Sequence, residues 1–331
     1  MNFLGTTEKQ RKAGELGLIF LIQSAVLTLL MVLVNTQFGE KIPVAIRLVS
    51  SEAIVVIPAI IYTVIKKTGF SDGLGFKKVK VSTVIKAILL SFLVLPITAF
   101  VNVLTQFLVP NTMTQAQDAL TGAMNAGILL LYVGVIAPVC EEICFRGVFA
   151  NGFKGITTLL NAALVSAMMF GLFHMNLNQT AYAFVLGFIF VIVNVASGSI
   201  WTSVIMHVAI NTTNQLMLVG VTRANEAVGS DQSVAELAEV VRQNKMVLLV
   251  YVIIYGILAI GAFFLVRLCI KSIAKKEGNE EILAGMFKKK SEEAESSDAS
   301  EEEKVRIVLN IPMILGILVC IGVIISDFIG K

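Results

Sequence analysis

Runs of about twenty apolar residues recur along almost the whole chain, and no other feature constrains the fold so strongly. Soluble helices rarely sustain such runs. A bilayer span requires them, because a helix is one of the few structures that satisfies its own backbone polar groups in lipid. The 331 residues are 56% hydrophobic and only 15% charged, where roughly a quarter charged is typical of soluble domains. The mean hydropathy is +0.84. These values predict an all-α, polytopic transmembrane helical bundle.

Polar punctuation divides the chain into nine spans, at roughly 16–36, 43–65, 81–109, 124–150, 156–174, 179–197, 199–220, 246–270 and 307–328. Residues 1–15 form an N-terminal segment and 16–270 an eight-helix core. Residues 271–306 form a charged linker, and 307–331 an accessory transmembrane helix. The fourth and fifth spans join through "NGFKG". The sixth and seventh are separated only by "ASGS", which makes them an antiparallel hairpin. The polar stretch "MNFLGTTEKQRKAGE" offers no small-residue cleavage site, so the first span is read as retained.

Lys9, Arg11, Lys12, the lysines at 66, 67, 77, 78 and 80, Lys154 and those after 270 all fall on one side of this layout. That side is the cytoplasm by the positive-inside rule, with the N-terminus cytoplasmic, the C-terminus outside and the protein multi-pass in the cell membrane. Opposite loops such as "NTMTQAQDALTG" are poor in cations. "SVAELAEVV" carries a capping box, Ser233 with Glu236, ahead of Leu237, Val240 and Val241, and predicts a short amphipathic helix on the outer surface. "KKKSEEAESSDASEEEK" has no apolar period and reads as a solvated linker. No basic face with interleaved aromatics points to nucleic acid. Cys140, Cys144, Cys269 and Cys320 lie in or beside apolar spans, as small hydrophobes rather than a disulfide framework.

Against this background "VCEEICFRG", Val139 to Gly147, is out of place. A charge at the bilayer centre costs about 2.5–3.5 kcal/mol on insertion scales and so marks a functional site by default. Glu141, Glu142 and Arg146 stand in the fourth span, His174 ends the fifth and His207 lies in the seventh. The chain has no other histidine. Adjacent helical residues point about 100° apart, so the two glutamates cannot face one reacting centre. Glu142 and Arg146 are an i,i+4 pair with the acid first, which suits mutual neutralisation. Glu141 is left to face the bundle interior as a general base. His207 and Asn211 share a helix face at i,i+4. Each group also has a purely structural reading: a helix clamp for the charges, an interfacial histidine at 174, and polar glue between helices at 207 and 211.

In order, "EEICFR", "FGLFH" and "HVAIN" resemble the EExxxR, FxxxH and HxxxN motifs of the CAAX prenyl protease and bacteriocin-processing (CPBP, Abi) family of intramembrane endopeptidases. The resemblance runs from Glu141 to Asn211. It implies that Glu141 activates a water with His174 as partner, and that His207 and Asn211 form an oxyanion hole, with Glu142 and Arg146 in support. It also implies a peptide or membrane-anchored protein as substrate. The family is described both as metal-dependent and as glutamate-type. Glu141, His174 and His207 could form a three-ligand zinc site with an open position. The lack of HExxH and the poor ligand Asn211 favour metal-free water activation.

At 1.5 Å per residue, Glu141 and His207 both lie ~15 Å above the inner ends of their spans, whereas His174, counted from Gly155, comes out ~28 Å up. The expectation is that the fifth span starts inside the bilayer, with "NGFKG" in a water-filled vestibule open to the cytoplasm. Two rivals remain. One is a non-catalytic membrane scaffold for a signalling partner. The other is a transporter or proton relay, against which the absence of an internal repeat counts. The last span is a candidate docking element for a membrane protein partner.

Overall fold

The computed structural model describes residues 4, 6–36, 41–111, 120, 124–227, 233–288 and 301–329. Most of "NTMTQAQDALTG" and of "KKKSEEAESSDASEEEK" lies outside them. The described residues form an all-α bundle with no extended sheet, and eight helices are long and apolar enough to cross a membrane.

Helix α1 is Glu8–Val34, α2 Val44–Ile65, α3 Val81–Leu93 and α4 Leu95–Thr105. Pro96 lacks the N–H that would bridge the break at Val94, so α3 and α4 form one span with a kink. Helix α5 is Ala126–Phe153, α6 Leu159–Phe173, α7 Leu177–Ser197 and α8 Trp201–Ala227. Then come α9, Val234–Gln243, α10, Lys245–Glu277, α11, Glu280–Met286, α12, Glu301–Val308, and α13, Ile311–Ile329.

Eight spans, not nine, reach full length. The fifth segment, α6, has only 15 residues. That is ~22 Å of helix against a hydrocarbon core of about 30 Å. Thr158 caps its start by accepting from the Asn161 N–H, so the helix begins at Leu159, four residues after Gly155. The ~28 Å assigned to His174 came from counting that irregular lead-in as helix. The "ASGS" hairpin forms as its composition requires: Gly198, at φ +74°, takes the left-handed conformation that ends α7, and α8 starts at Trp201.

The core gathers around phenylalanines. Phe20 of α1 meets Phe149 edge-on at 6.3 Å, and Phe145 meets Phe170 and Phe173 of α6 at 5.2 and 5.7 Å. The last span packs directly on α1. Gly316 leaves room for Phe20 and the Leu21 backbone, Asn310 Nδ2 donates to the Ala13 carbonyl at 2.9 Å, and Cys320 Sγ reaches Ser24 Oγ at 3.4 Å. All four cysteines are free. The Ser233–Glu236 capping box is present at α9. Helix α10 leaves Ile253, Ile257 and Ile260 more than half exposed, a surface suited to lipid.

Candidate functional site

Helix α5 is wound unevenly. Wide, π-type turns cover Tyr132–Ile136 and Ile143–Ala150, on either side of the regular stretch Ala137–Glu142. Such turns concentrate at functional sites, because they re-aim side chains and free carbonyls. Pro138 is one cause: it has no N–H to offer the carbonyls four or five residues back, those of Gly134 and Val133. Both are met from α8. Asn211 Nδ2 donates to the Val133 carbonyl and Thr212 Oγ1 to that of Gly134, each at 3.2 Å. Gly134 permits this approach, since a Cβ there would sit 2.9 Å from Thr212 Oγ1. In the second wide stretch Ser166 Oγ of α6 donates to the Phe145 carbonyl at 2.8 Å. Neighbouring helices thus satisfy the backbone where α5 is irregular.

Within this frame Glu142 and Arg146 pair as their spacing predicts, Nη1 to Oε1 at 2.8 Å, with both side chains almost fully buried. The contact is close but off the hydrogen-bond axis, and none of the three guanidinium nitrogens has an aligned acceptor. The cation is held by π-faces instead. Its carbon lies 4.2 Å from the Phe170 ring centroid and 4.9 Å from that of Phe190. Gly187 makes space for it: a Cβ there would lie 3.0 Å from Phe170 Cδ1 and 3.1 Å from Arg146 Nη2.

His207 lies between the two glutamates. Its Nδ1 is 3.0 Å from Glu142 Oε1 and its Nε2 is 3.5 Å from Glu141 Oε2. A carboxylate only accepts, so the short contact puts the proton on Nδ1 and aims Nε2 at Glu141. Glu141 is the open member of the group, its side chain 18% exposed against 0% for Glu142. His174 caps the end of α6, and its Nδ1 donates to the Phe170 carbonyl at 2.8 Å, which leaves Nε2 as the acceptor. The Phe170 ring meets both imidazoles edge-on, His174 at 5.0 Å and His207 at 5.8 Å. The three motifs therefore converge on Phe170. The described contact of Glu141 is with His207 rather than His174.

Among the described residues, no group of three His, Cys, Asp or Glu side chains is placed to hold a metal. Both His207 nitrogens are turned to carboxylates and His174 Nδ1 to a carbonyl. Glu141, His174 and His207 are not gathered as three ligands of one zinc.

Sequence reasoning passed over Phe190, Gly187 and one further acid. Glu52, on α2, is a further charged neighbour of Glu141, and its Oε2 is buried without a hydrogen-bond partner. Intramembrane acids are therefore not confined to the three motif spans. "VSSEAIVV" carried the same signal as "VCEEICFRG", a charge in an apolar run. Asn151 and Gly152 of "NGFKG" line a polar hollow of about 670 Å³ together with Arg11, Glu15 and Lys66.

Comparison with known proteins agrees with the motif resemblance. Residues 123–213 match the family model described as "Type II CAAX prenyl endopeptidase Rce1-like", a segment that contains all three motifs. The chain is also 26% identical over 85 residues to "Putative membrane peptidase YdiL" of Bacillus subtilis (strain 168). That alignment covers 26% of this chain and 35% of the relative, so the chain spans about a third of the length of the curated relative it matches. No solved structure matches the chain.

Proposed function

We propose that this multi-pass protein is an intramembrane endopeptidase of the CAAX-protease and bacteriocin-processing type. The observation that carries the reading is the 3.5 Å approach of Glu141 Oε2 to His207 Nε2, with the more exposed glutamate in front and the buried Glu142–Arg146 pair behind.

Two acceptors face each other across that gap, since the His207 proton is committed to Glu142. A water beside the pair, in reach of both, donates to each and is held as a nucleophile. Glu141 takes its proton as the oxygen adds to the substrate carbonyl. The resulting oxyanion requires donors. Asn211 spends one amide N–H on Val133 and keeps a second for it, while the water's other proton passes to His207 Nε2 as the new acid ionises, with Glu142 balancing the imidazolium, and then leaves to solvent. His174 Nε2 is a further acceptor for the incoming water. When the C–N bond breaks, Glu141 passes the proton it took to the leaving amine. The products are one carboxylate and one amine, with no other reactant needed.

The family match supports a peptide or a membrane-anchored protein as the substrate class. The test compares the membrane-protein termini of cells expressing wild-type protein with those of cells expressing Glu141→Gln at equal membrane levels. Termini present with wild type and missing with the variant support the reading. Identical sets overturn it in favour of a scaffold.

A further inference from the structure

A second opening lies away from the catalytic group, on the face where α7, α10 and α11 meet α4. It is a groove of about 770 Å³ whose floor includes Ile97, Phe184, Phe188 and Val266, with Arg267 and Lys271 along one wall. No ion pair among the described residues engages either cation. We infer that this groove is a binding site for an anionic phospholipid, with the phosphate on Arg267 and Lys271 and an acyl chain on the apolar floor.

Depth supports a lipid over any other occupant. On α10 the stretch from Met246 to Val266 carries no charge, with Lys245 before it and Arg267 after it. At 1.5 Å per residue it is ~31 Å long, the thickness of the hydrocarbon core. Arg267 therefore stands at the boundary where lipid phosphates lie, and Lys271 stands one turn further on the same face. Phe263 and Val266 of the lining precede Arg267 on α10 and fall on its hydrocarbon side.

Helix α11 closes the opening. Gly278, at φ +79°, ends α10 and turns the chain back, and Asn279 Nδ2 pins the turn to the Ala196 carbonyl of α7 at 3.1 Å. Leu283, Ala284 and Phe287 then line the groove from above, and Glu280 adds one carboxylate to it. That carboxylate repels a bare phosphate but accepts from head-group hydroxyls. Phosphatidylglycerol supplies both the anion and those donors, whereas phosphatidylcholine has no donor to offer. This site does not depend on the peptidase reading.

The test uses the full chain in neutral detergent, with native mass spectrometry during titration of phosphatidylglycerol or phosphatidylcholine of the same acyl chains. Wild type should retain one phosphatidylglycerol at least ten-fold more tightly than phosphatidylcholine. The double variant Arg267→Gln/Lys271→Gln, whose exposed positions leave the fold intact by circular dichroism, should reduce that preference to about two-fold or less. An equal hold on both lipids by wild type, or a preference unchanged in the variant, overturns the proposal. So does a photo-crosslinker at Phe188 that captures the chain's own linker or another protein in place of lipid.

Discussion

His207 Nδ1 lies 3.0 Å from Glu142 Oε1, so the imidazole is oriented by the same carboxylate that neutralises Arg146. One buried glutamate thereby links the charge that the span must tolerate to the ring that faces Glu141. In the proposed peptidase Glu142 would serve as a positioning residue by fixing His207, a role beyond that of a helix clamp.

Removing one partner of this buried pair strands the other. Glu142→Gln or Arg146→Met should each lower stability by about 3–5 kcal/mol. The double variant should recover part of that loss, because no lone charge is left. Thermal unfolding in detergent of the two single variants and the double variant gives the coupling.

Asn211 and Thr212 make equal contacts with neighbouring carbonyls, yet only Asn211 keeps a spare donor. Thr212→Val should cost about 1 kcal/mol of stability and leave turnover near wild type. Asn211→Ala should show a similar stability loss together with a fall in kcat of about 10²–10³. Equal kinetics in the two variants would reduce Asn211 to polar glue between helices.

Gly187 is the space that Arg146 and Phe170 occupy, while Gly220 on α8 has nothing within 4 Å of an added Cβ. Both substitutions to Ala bring the same gain in helix propensity. Gly187→Ala should nevertheless come out less stable than Gly220→Ala by about 1–2 kcal/mol, through overpacking around the guanidinium. Unfolding midpoints measured side by side decide it.

The fold class, the ASGS hairpin, the Ser233 cap and the Glu142–Arg146 pair were legible because each rests on local periodicity or on contacts within one helix. The length of α6 was not. Ile156 counts into the apolar run, whereas the local cap of Thr158 on the Asn161 N–H starts the helix at Leu159 and leaves 15 residues. The motifs named Glu141, His174, His207 and Asn211, but their spacing carried no information on which ring nitrogen meets which carboxylate. That depends on the wide turns of α5, which rotate Glu141 and Glu142 relative to a regular helix. Phe190 and Gly187 look like any other residues of an apolar span, and only their approach to Arg146 distinguishes them.

The most direct measurement is the hydrolysis rate of a cleaved membrane peptide by purified protein in liposomes made up in ¹⁸O-labelled water, for wild type and Glu141→Gln. Wild type should place one ¹⁸O in the new carboxylate, and the variant should be slower by about 10²–10⁴ with its thermal unfolding unchanged. A folded Glu141→Gln protein that cleaves at the wild-type rate would contradict the assignment of Glu141 as the base.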